Sequence, residues 1–167
     1  MERIFARRNR SANMIYLPNA CDLETFDRDA GAAAQIRARF DDRPIVAYMG
    51  FMLPRYRTDR VVEIAQEVTR RNPDVQFVLI GKGPEKPRLE ALARDLGIED
   101  RITFTGFVSD EELPGYLRAS NALLLPIANT QINRARCPNK VYLYCAAGVP
   151  IVTNPVGEVK NALGDNA

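Results

Sequence analysis

The feature of this sequence that most constrains its fold is the regular alternation of short apolar runs with segments of helical periodicity. The apolar runs, each bounded by turn-forming residues, cover positions 44–48, 75–80, 102–105, 122–126 and 149–153. Such runs are typical of strands that are buried on both faces. Between them, apolar residues recur at helical spacing, as at Val61, Ile64, Ala65 and Val68. Because parallel strands that alternate with helices need right-handed crossovers, the sequence predicts an α/β fold, a Rossmann-like open parallel sheet with helices on both faces.

Two local signals set the limits of individual helices. Ser109 followed by Glu112 has the spacing of a capping box, which predicts a short helix through about Leu117. Gly148 ends a second helix, which is predicted over residues 139–147.

The remaining sequence divides into a domain and a leading segment. We expect residues 44–167 to form the domain, with a last helix that begins near Gly157 and is truncated at the C-terminus. Residues 1–43 are then an N-terminal tail and linker. Within them, residues 14–17 are a candidate edge strand, and residues 27–43 have weak periodicity and are predicted to be a connector.

The charge balance argues against one class of partner. The chain has 23 Lys and Arg against 21 Asp and Glu, a formal net charge of +2, which is too small to drive nucleic-acid binding by bulk electrostatics. No nucleic-acid partner is therefore expected, and any anion site must be local. Segment 1–10 carries Arg3, Arg7, Arg8 and Arg10. We expect a frayed basic tail there, with peripheral contact with anionic lipid as the alternative.

Histidine is absent from the chain, which excludes Ser/His/Asp and Cys/His catalysis among its own residues. The three cysteines, Cys21, Cys137 and Cys145, are an odd number without the spacing of a metal site. Cys145 lies among apolar residues, so we expect it to be a buried free thiol. No apolar run is long enough to span a bilayer. These observations favour a soluble protein of the reducing cytoplasm.

The loops that follow the strands are where a ligand is expected. In an open parallel sheet, ligands bind beyond the carboxyl ends of the strands, where loops and helix N-termini converge. Positive side chains recur on three of these loops, at Arg55, Arg57, Arg60, Lys82, Lys86, Arg134, Arg136 and Lys140. Guanidinium groups, amides and helix dipoles together suit phosphates. For any one of these cations an ordinary solvated loop is the more common explanation, so the prediction depends on the cluster.

Two short sequences within these loops bear on the phosphate prediction. Lys82 lies in GKGPEK, whose Gly81 and Gly83 suit a tight strand-to-helix turn. This is not a dinucleotide fingerprint, because it lacks the third glycine and follows the second strand. In CPNK, Asn139 is a candidate N-cap with free amides beside Lys140. These four residues alone fit a diphosphate site and an ordinary capped helix about equally.

These residues together resemble the C-terminal domain of the group 1 glycosyltransferases with the GT-B fold, enzymes that transfer a sugar from a UDP or GDP donor. The likeness is carried by YLPNACDLETF at 16–26, YMG at 48–50, the continuous stretch 72–126 and PNKVYLYCAAGVPIVTNPVGE at 138–158. The order and spacing of these pieces over most of the chain make the resemblance specific.

The resemblance implies roles for several residues. Gly50 would lie under the donor diphosphate, and Gly81 and Gly83 would close the turn beside it. Phe107 and Val108 would present backbone groups to the base. Three further residues would supply amides and a charge to the phosphates: Pro138, Asn139 and Lys140.

The loop after the first strand departs from the family. The family usually has an arginine directly after the first glycine, where this chain has Phe51, and a lysine a few residues later, where it has Tyr56. The two usual diphosphate cations are therefore missing. Arg55 or Arg57 is the candidate replacement.

A second departure concerns the family's pair of glutamates, which would fall at Ala135 and Leu143. The second glutamate is expected to bind the donor ribose, so Leu143 removes two hydroxyl contacts. A hydrogen bond to a charged acceptor contributes about 1.5–3 kcal/mol. Weaker donor binding is therefore expected.

The function implied by the resemblance is hexosyl transfer from a UDP- or GDP-sugar to an acceptor, without a metal or another cofactor. An N-terminal domain of the same enzyme would hold the acceptor, so we expect the isolated domain to bind donor without turnover. The alternative is a noncatalytic GT-B-like module that has lost ribose binding, which the missing glutamates favour. A sugar-nucleotide epimerase ranks last, because that activity needs acidic and histidine residues that the chain does not supply.

Overall fold

The structure is a computed structural model that describes residues 19–27 and 31–164. One sheet of five strands has the order β3-β2-β1-β4-β5, and all neighbouring strands are parallel. The strands are β1 Ile45–Met49, β2 Gln76–Ile80, β3 Ile102–Gly106, β4 Ala122–Leu125 and β5 Ile151–Thr153. The predicted parallel α/β sheet is therefore confirmed, with strand ends that shift by a residue or two.

Helices connect the strands and cover both faces of the sheet. They are α1 Glu24–Asp27, α2 Ala32–Ala38, α3 Asp59–Arg71, α4 Lys86–Asp95, α5 Leu113–Ala119, α6 Gln131–Ala135, α7 Lys140–Ala147 and α8 Glu158–Leu163. Two short 3-10 helices cover Pro54–Tyr56 and Glu99–Arg101. No helix among these described elements is long and apolar enough to cross a bilayer.

The core has two layers because successive side chains of a strand point to opposite faces. On β2, Phe77 and Leu79 pack in the layer with α3 and α4. Val78 and Ile80 pack in the other layer, which includes Tyr144 of α7 and buried side chains of α2, α5 and α8. The crossover helices therefore hold the sheet from both sides, which fixes the positions of the loops at its carboxyl edge.

Burial of the strands decreases from the centre of the sheet to its edges. Every residue of β2 is buried, as the apolar run predicts. The prediction of burial on both faces is wrong for β3 and β5, most of whose residues are half-buried, and Val152 is 56% exposed. Within the described residues these two strands are the sheet edges, each with a neighbouring strand on one side only.

The predicted connector at residues 27–43 is wrong in its central part, which forms α2. Its Ile36 is buried in the core, and Ala33 and Phe40 pack against the same cluster. Arg37 Nε donates to Ala119 O over 3.0 Å, which attaches α2 to the end of α5. Alanine and arginine are strong helix formers, and one buried isoleucine is enough to anchor two turns. The expected strand at residues 14–17 and the basic segment 1–10 lie outside the described residues.

The predicted helix signals are confirmed where they concern the backbone. Ser109 Oγ accepts from the backbone N–H of Glu112 over 3.2 Å, and Glu112 Oε2 accepts from that of Ser109 over 3.4 Å, as a capping box requires. Helix α5 itself begins at Leu113. Gly148 ends α7 in the left-handed conformation at φ 68°, and α8 follows Gly157 as expected.

The prediction that Cys145 is buried is wrong, because its thiol side chain is exposed. Helix α7 places Val141, Tyr144 and Ala147 in the core, at the spacing of three to four residues that defines one helical face. Cys145 falls on the opposite face. An apolar neighbourhood in sequence therefore did not predict its burial.

Candidate functional site

The candidate site lies where the strand order of the sheet changes direction. Strands β1 to β3 follow one another outward on one side, and the chain then crosses to β4 on the other side of β1. The crevice at such a switch point is the usual ligand site of an open α/β sheet. A cavity of about 590 Å³ opens there. Its walls come from β1, the loop before α3, the loops after β4 and β5, and the start of α7.

The cavity is lined by positive side chains. Among the described residues that line it, none carries a carboxylate, and five are cations: Arg55, Arg57, Arg60, Arg136 and Lys140. Neutral polar groups come from Tyr48, Tyr56, Asn129, Asn133 and Asn154. A concave surface of this composition suits an anion that also carries hydroxyl groups.

Gly50, Gly81 and Lys140 meet on one rim of the sheet. The Gly50 N–H donates to Ile80 O over 2.9 Å, and the Lys140 ammonium donates to Met49 O over 2.6 Å. A Cβ at Gly50 would lie 2.6 Å from Lys140 Nζ. The backbone at Gly50 and the ammonium of Lys140 are therefore direct neighbours on this rim, as expected from the sequence.

The two glycines after β2 are required by close backbone approaches. Gly81 has φ +134°, and a Cβ there would lie 3.0 Å from the carbonyl carbon of Gly50 and nearer still to its oxygen. Gly83 has φ +158°, and its Cβ would lie 2.7 Å from Met52 C. Side chains other than hydrogen do not fit here, so this loop packs directly on the loop after β1.

Lys140 is a half-buried cation that lies beside an aromatic ring and within the influence of a second cation. Its Nζ lies 4.8 Å from the centre of the Tyr48 ring. Burial, and after it the charge of Arg136, lower the pKa of Lys140 to about 8. A lysine in this state gains stability from any anion that binds next to it.

Tyr144 links the carboxyl ends of β1 and β4 through its hydroxyl, and no sequence signal singled it out. Its hydroxyl accepts from the Met49 N–H over 2.8 Å and donates to Leu124 O over 3.2 Å. Burial raises the pKa of this phenol, so the proton is retained. The hydroxyl thereby joins the ends of two strands at the point where they separate.

Of the cations proposed to replace the missing pair, Arg55 and Arg57 both line the cavity. Arg57 has φ 51°, and its Nη2 is 3.0 Å from Asp59 Oδ2, so its charge is already paired. Arg55 Nη2 donates to the Tyr56 hydroxyl over 3.4 Å. Phe51, which follows Gly50, is 56% exposed and does not line the cavity.

The residues predicted near the base lie at the other side of the crevice. Phe107 follows β3 and is 70% exposed, with Lys82 Nζ 5.0 Å from its ring centre. Val108 is partly buried against the core. Neither lines the cavity, so the structure divides the predicted residues between a charged cavity and an exposed aromatic edge.

The start of α7 brings Lys140 to the cavity but not its neighbours. Pro138 is buried and Asn139 exposed, and Asn139 occupies the N-cap position without a side-chain hydrogen bond. Leu143 packs against the core. Ala135 is the exposed last residue of α6, so neither position of the glutamate pair places a side chain in the cavity wall.

Two residues of the wall, Arg136 and Tyr56, make a contact that was not predicted from the sequence. The guanidinium of Arg136 lies 5.3 Å from the centre of the Tyr56 ring, and that of Arg55 lies 4.9 Å from the same centre. The sequence identifies Arg136 only as one of the loop cations, and Tyr56 only as a position where the family usually has a lysine. A stacking partner eighty residues away along the chain leaves no local signal.

The family model described as glycosyl transferases group 1 matches residues 31–167. The chain belongs to the group 1 glycosyltransferases. It is 31% identical, over 151 residues, to a GDP-mannose-dependent alpha-(1-6)-phosphatidylinositol monomannoside mannosyltransferase of Mycolicibacterium smegmatis, with 88% of this chain and 40% of that protein covered. It is 42% identical over 95 residues to alpha-D-kanosaminyltransferase of Streptomyces kanamyceticus, with 56% of this chain and 25% of that protein covered.

Solved structures agree with this glycosyltransferase assignment at the level of the fold. HepE of Anabaena in complex with UDP-glucose superposes with a TM-score of 0.73 at 17% identity, over 96% of this chain and 44% of that one. WaaG, a glycosyltransferase involved in lipopolysaccharide biosynthesis, gives 0.69 at 19% identity, over 91% and 40%. This glycosyltransferase domain thus spans less than half the length of each of these four proteins.

Proposed function

We propose that this chain is the nucleotide-sugar donor domain of a hexosyltransferase that binds a UDP- or GDP-sugar. The observation that carries the proposal is the cavity at the switch point of the sheet, whose described wall has five cations and no carboxylate. A sugar nucleotide has the matching chemistry, because its diphosphate is anionic and its sugar carries hydroxyl groups. The asparagines of the wall suit those hydroxyls.

Both nucleotides remain candidates for the donor. The mycobacterial relatives named as GDP-mannose-dependent share 30% to 31% identity with 88% to 93% of this chain, which supports a GDP-sugar. The structural neighbour HepE is known with UDP-glucose, which supports a UDP-sugar. Backbone groups beside Phe107 would contact the base, so side chains carry little of this choice.

In the proposed reaction, the bond from the anomeric carbon to the diphosphate breaks and a bond to an acceptor oxygen forms. Negative charge develops on the departing diphosphate. In this proposal Lys140 and the arginines of the cavity stabilise that charge. Backbone amides of the neighbouring glycine loops would add to this stabilisation. This electrostatic role does not call for a metal ion, and we propose a metal-independent enzyme of the cytoplasm.

The acceptor belongs to another part of the enzyme in this proposal. The chain covers 40% of the mannosyltransferase relative, which leaves room in such a protein for a second domain. An N-terminal domain facing the crevice would hold the acceptor. The donor domain alone would then bind its nucleotide without transferring sugar.

Titration calorimetry with UDP, GDP, UDP-glucose and GDP-mannose tests the proposal on the 167-residue chain. Binding in the micromolar range by one nucleotide series, with uridine or guanosine much weaker, supports a donor domain. No binding across the whole set contradicts it.

A noncatalytic module is the second candidate, and one observation favours it. The residues at the two family glutamate positions are Ala135 and Leu143, neither of which lines the cavity. A domain kept only for assembly would show no nucleotide binding in the same titration. The two candidates therefore give opposite results in one experiment.

A further inference from the structure

The five cations of the cavity differ in what they already bind. Arg57 is paired with Asp59 at 3.0 Å, and Arg60 is paired with Glu63 at 2.7 Å. In the part of the chain that the structure describes, Arg136 and Lys140 have no carboxylate partner. Arg55 has no carboxylate partner among these described residues either, but its Nη2 already donates to the Tyr56 hydroxyl over 3.4 Å. Two of the three cations without an ion pair therefore lie on the α7 side of the cavity.

Arg136 is held by stacking rather than by an ion pair. Its guanidinium carbon lies 5.3 Å from the centre of the Tyr56 ring. Its Nε is buried and has no hydrogen-bond partner among the described residues. Stacking uses the face of the guanidinium and leaves the N–H groups in its plane free to donate. A planar cation presented in this way matches a phosphate oxygen pair.

Lys140 completes a pair of like charges. Its ammonium makes one hydrogen bond, to Met49 O at 2.6 Å, and the charge of Arg136 contributes, after burial, to the lowered pKa of Lys140. Two unneutralised cations that feel each other at a cavity wall repel one another unless an anion lies between them. Both side chains line the same cavity, where an anion between them would relieve this repulsion.

We propose that Arg136 and Lys140 are the cation pair that binds the donor diphosphate in this domain, and that the Tyr56 ring is the platform that positions Arg136. The inference rests on the proposed donor function and specifies which residues perform it. In the loop after β1, Phe51 is uncharged, Arg57 is paired with a carboxylate and Arg55 donates to the Tyr56 hydroxyl. These contacts favour the α7 side of the cavity as the main source of the charge.

Inorganic pyrophosphate is the direct probe, because it contains the diphosphate without base or sugar. We expect Arg136→Met and Lys140→Met each to weaken pyrophosphate binding by about tenfold to a hundredfold, the loss typical of a charged hydrogen bond. Arg136→Lys should recover part of the affinity. Tyr56→Leu removes the ring and should lose several-fold, and Tyr56→Phe, which keeps the ring, should lose less than Tyr56→Leu.

The matched control is Arg70→Met, which removes the same charge from an exposed residue paired with Glu67 at 3.0 Å and outside the cavity wall. Each variant is checked for an unchanged unfolding midpoint. Equal pyrophosphate affinity of Arg136→Met and wild type, or no pyrophosphate binding by the wild type, overturns the inference.

Nucleotides separate this inference from the proposed function. If UDP or GDP binds and Arg136→Met leaves its advantage over the nucleoside unchanged, the donor function stands and the cation pair is wrong. If pyrophosphate binding depends on Arg136 but no nucleotide binds more tightly than pyrophosphate, the cation pair stands and the donor function is wrong.

Discussion

At the residue scale, the charge state of Lys140 controls how strongly the cavity attracts an anion. Burial and then the charge of Arg136 lower the pKa of its ammonium to about 8. The free domain therefore loses this proton as the pH rises through 8, and a bound diphosphate would raise the pKa again. Because the ammonium charge is lost above pH 8, the affinity for the nucleotide is expected to fall there.

We expect the affinity for UDP or GDP to fall about tenfold between pH 7 and pH 9, as one proton must be taken up on binding. Calorimetry of wild type and Lys140→Met at both pH values measures this. The ratio of the two affinities cancels the titration of the nucleotide itself. A ratio that is independent of pH would show that Lys140 does not contact the ligand.

A second prediction at this scale concerns the close backbone approach at Gly81. Gly81→Ala places a Cβ against the Gly50 carbonyl at φ +134°, and we expect the free energy of unfolding to fall by at least about 2 kcal/mol. Gly97→Ala is the matched control, because Gly97 has φ +66° and open space around its Cβ position. It should lose about 1 kcal/mol. Equal losses in urea unfolding would contradict the packing argument.

At the scale of elements, Tyr144 links β1 to β4 beside the crevice. Tyr144→Phe removes the hydroxyl that links Met49 N–H to Leu124 O and leaves two buried backbone groups without that partner. We expect a loss of about 1–3 kcal/mol in the free energy of unfolding and weaker nucleotide binding. Tyr116→Phe is the control, since its hydroxyl accepts only from the exposed Arg39 at 3.3 Å. Similar stabilities of the two variants would rule out the bridging role.

The elements that could be predicted from sequence are those whose burial is written as a pattern. All five residues of β2 are buried, and all but Gln76 are apolar. The capping box at Ser109 forms as its spacing requires. Helix α2 was missed because a single buried residue, Ile36, anchors it. The short α6 within the loop after β4 likewise has no buried residue, so no periodic signal marks it.

The candidate site could be predicted only in part, for a different physical reason. The glycines and cations predicted for the site come together at one edge of the sheet, where Gly50, Gly81 and Lys140 meet. That a ligand binds at this edge stays a prediction. Which of the cations lack an ion pair depends on where the carboxylates lie in the folded chain. Arg57 pairs with Asp59, which is only two positions away in the sequence. Arg136 contacts Tyr56, which is far away in the sequence and comes close only after folding.

At the scale of the whole molecule, the proposed function assigns donor binding to this domain and acceptor binding to another part of the enzyme. We therefore expect the 167-residue chain to bind its nucleotide but to release no more UDP or GDP from sugar nucleotides than buffer does. Chromatography of the nucleotide products measures this. Sustained sugar transfer by the chain alone would contradict the division of labour.

The most direct test of the central claim is a crystal structure of this domain with bound UDP or GDP. We predict that the diphosphate lies in the cavity between β1 and α7, within hydrogen-bond distance of Lys140 and Arg136, with its other side against the Gly50 loop. A diphosphate bound elsewhere, or one contacted by neither Lys140 nor Arg136, would contradict it.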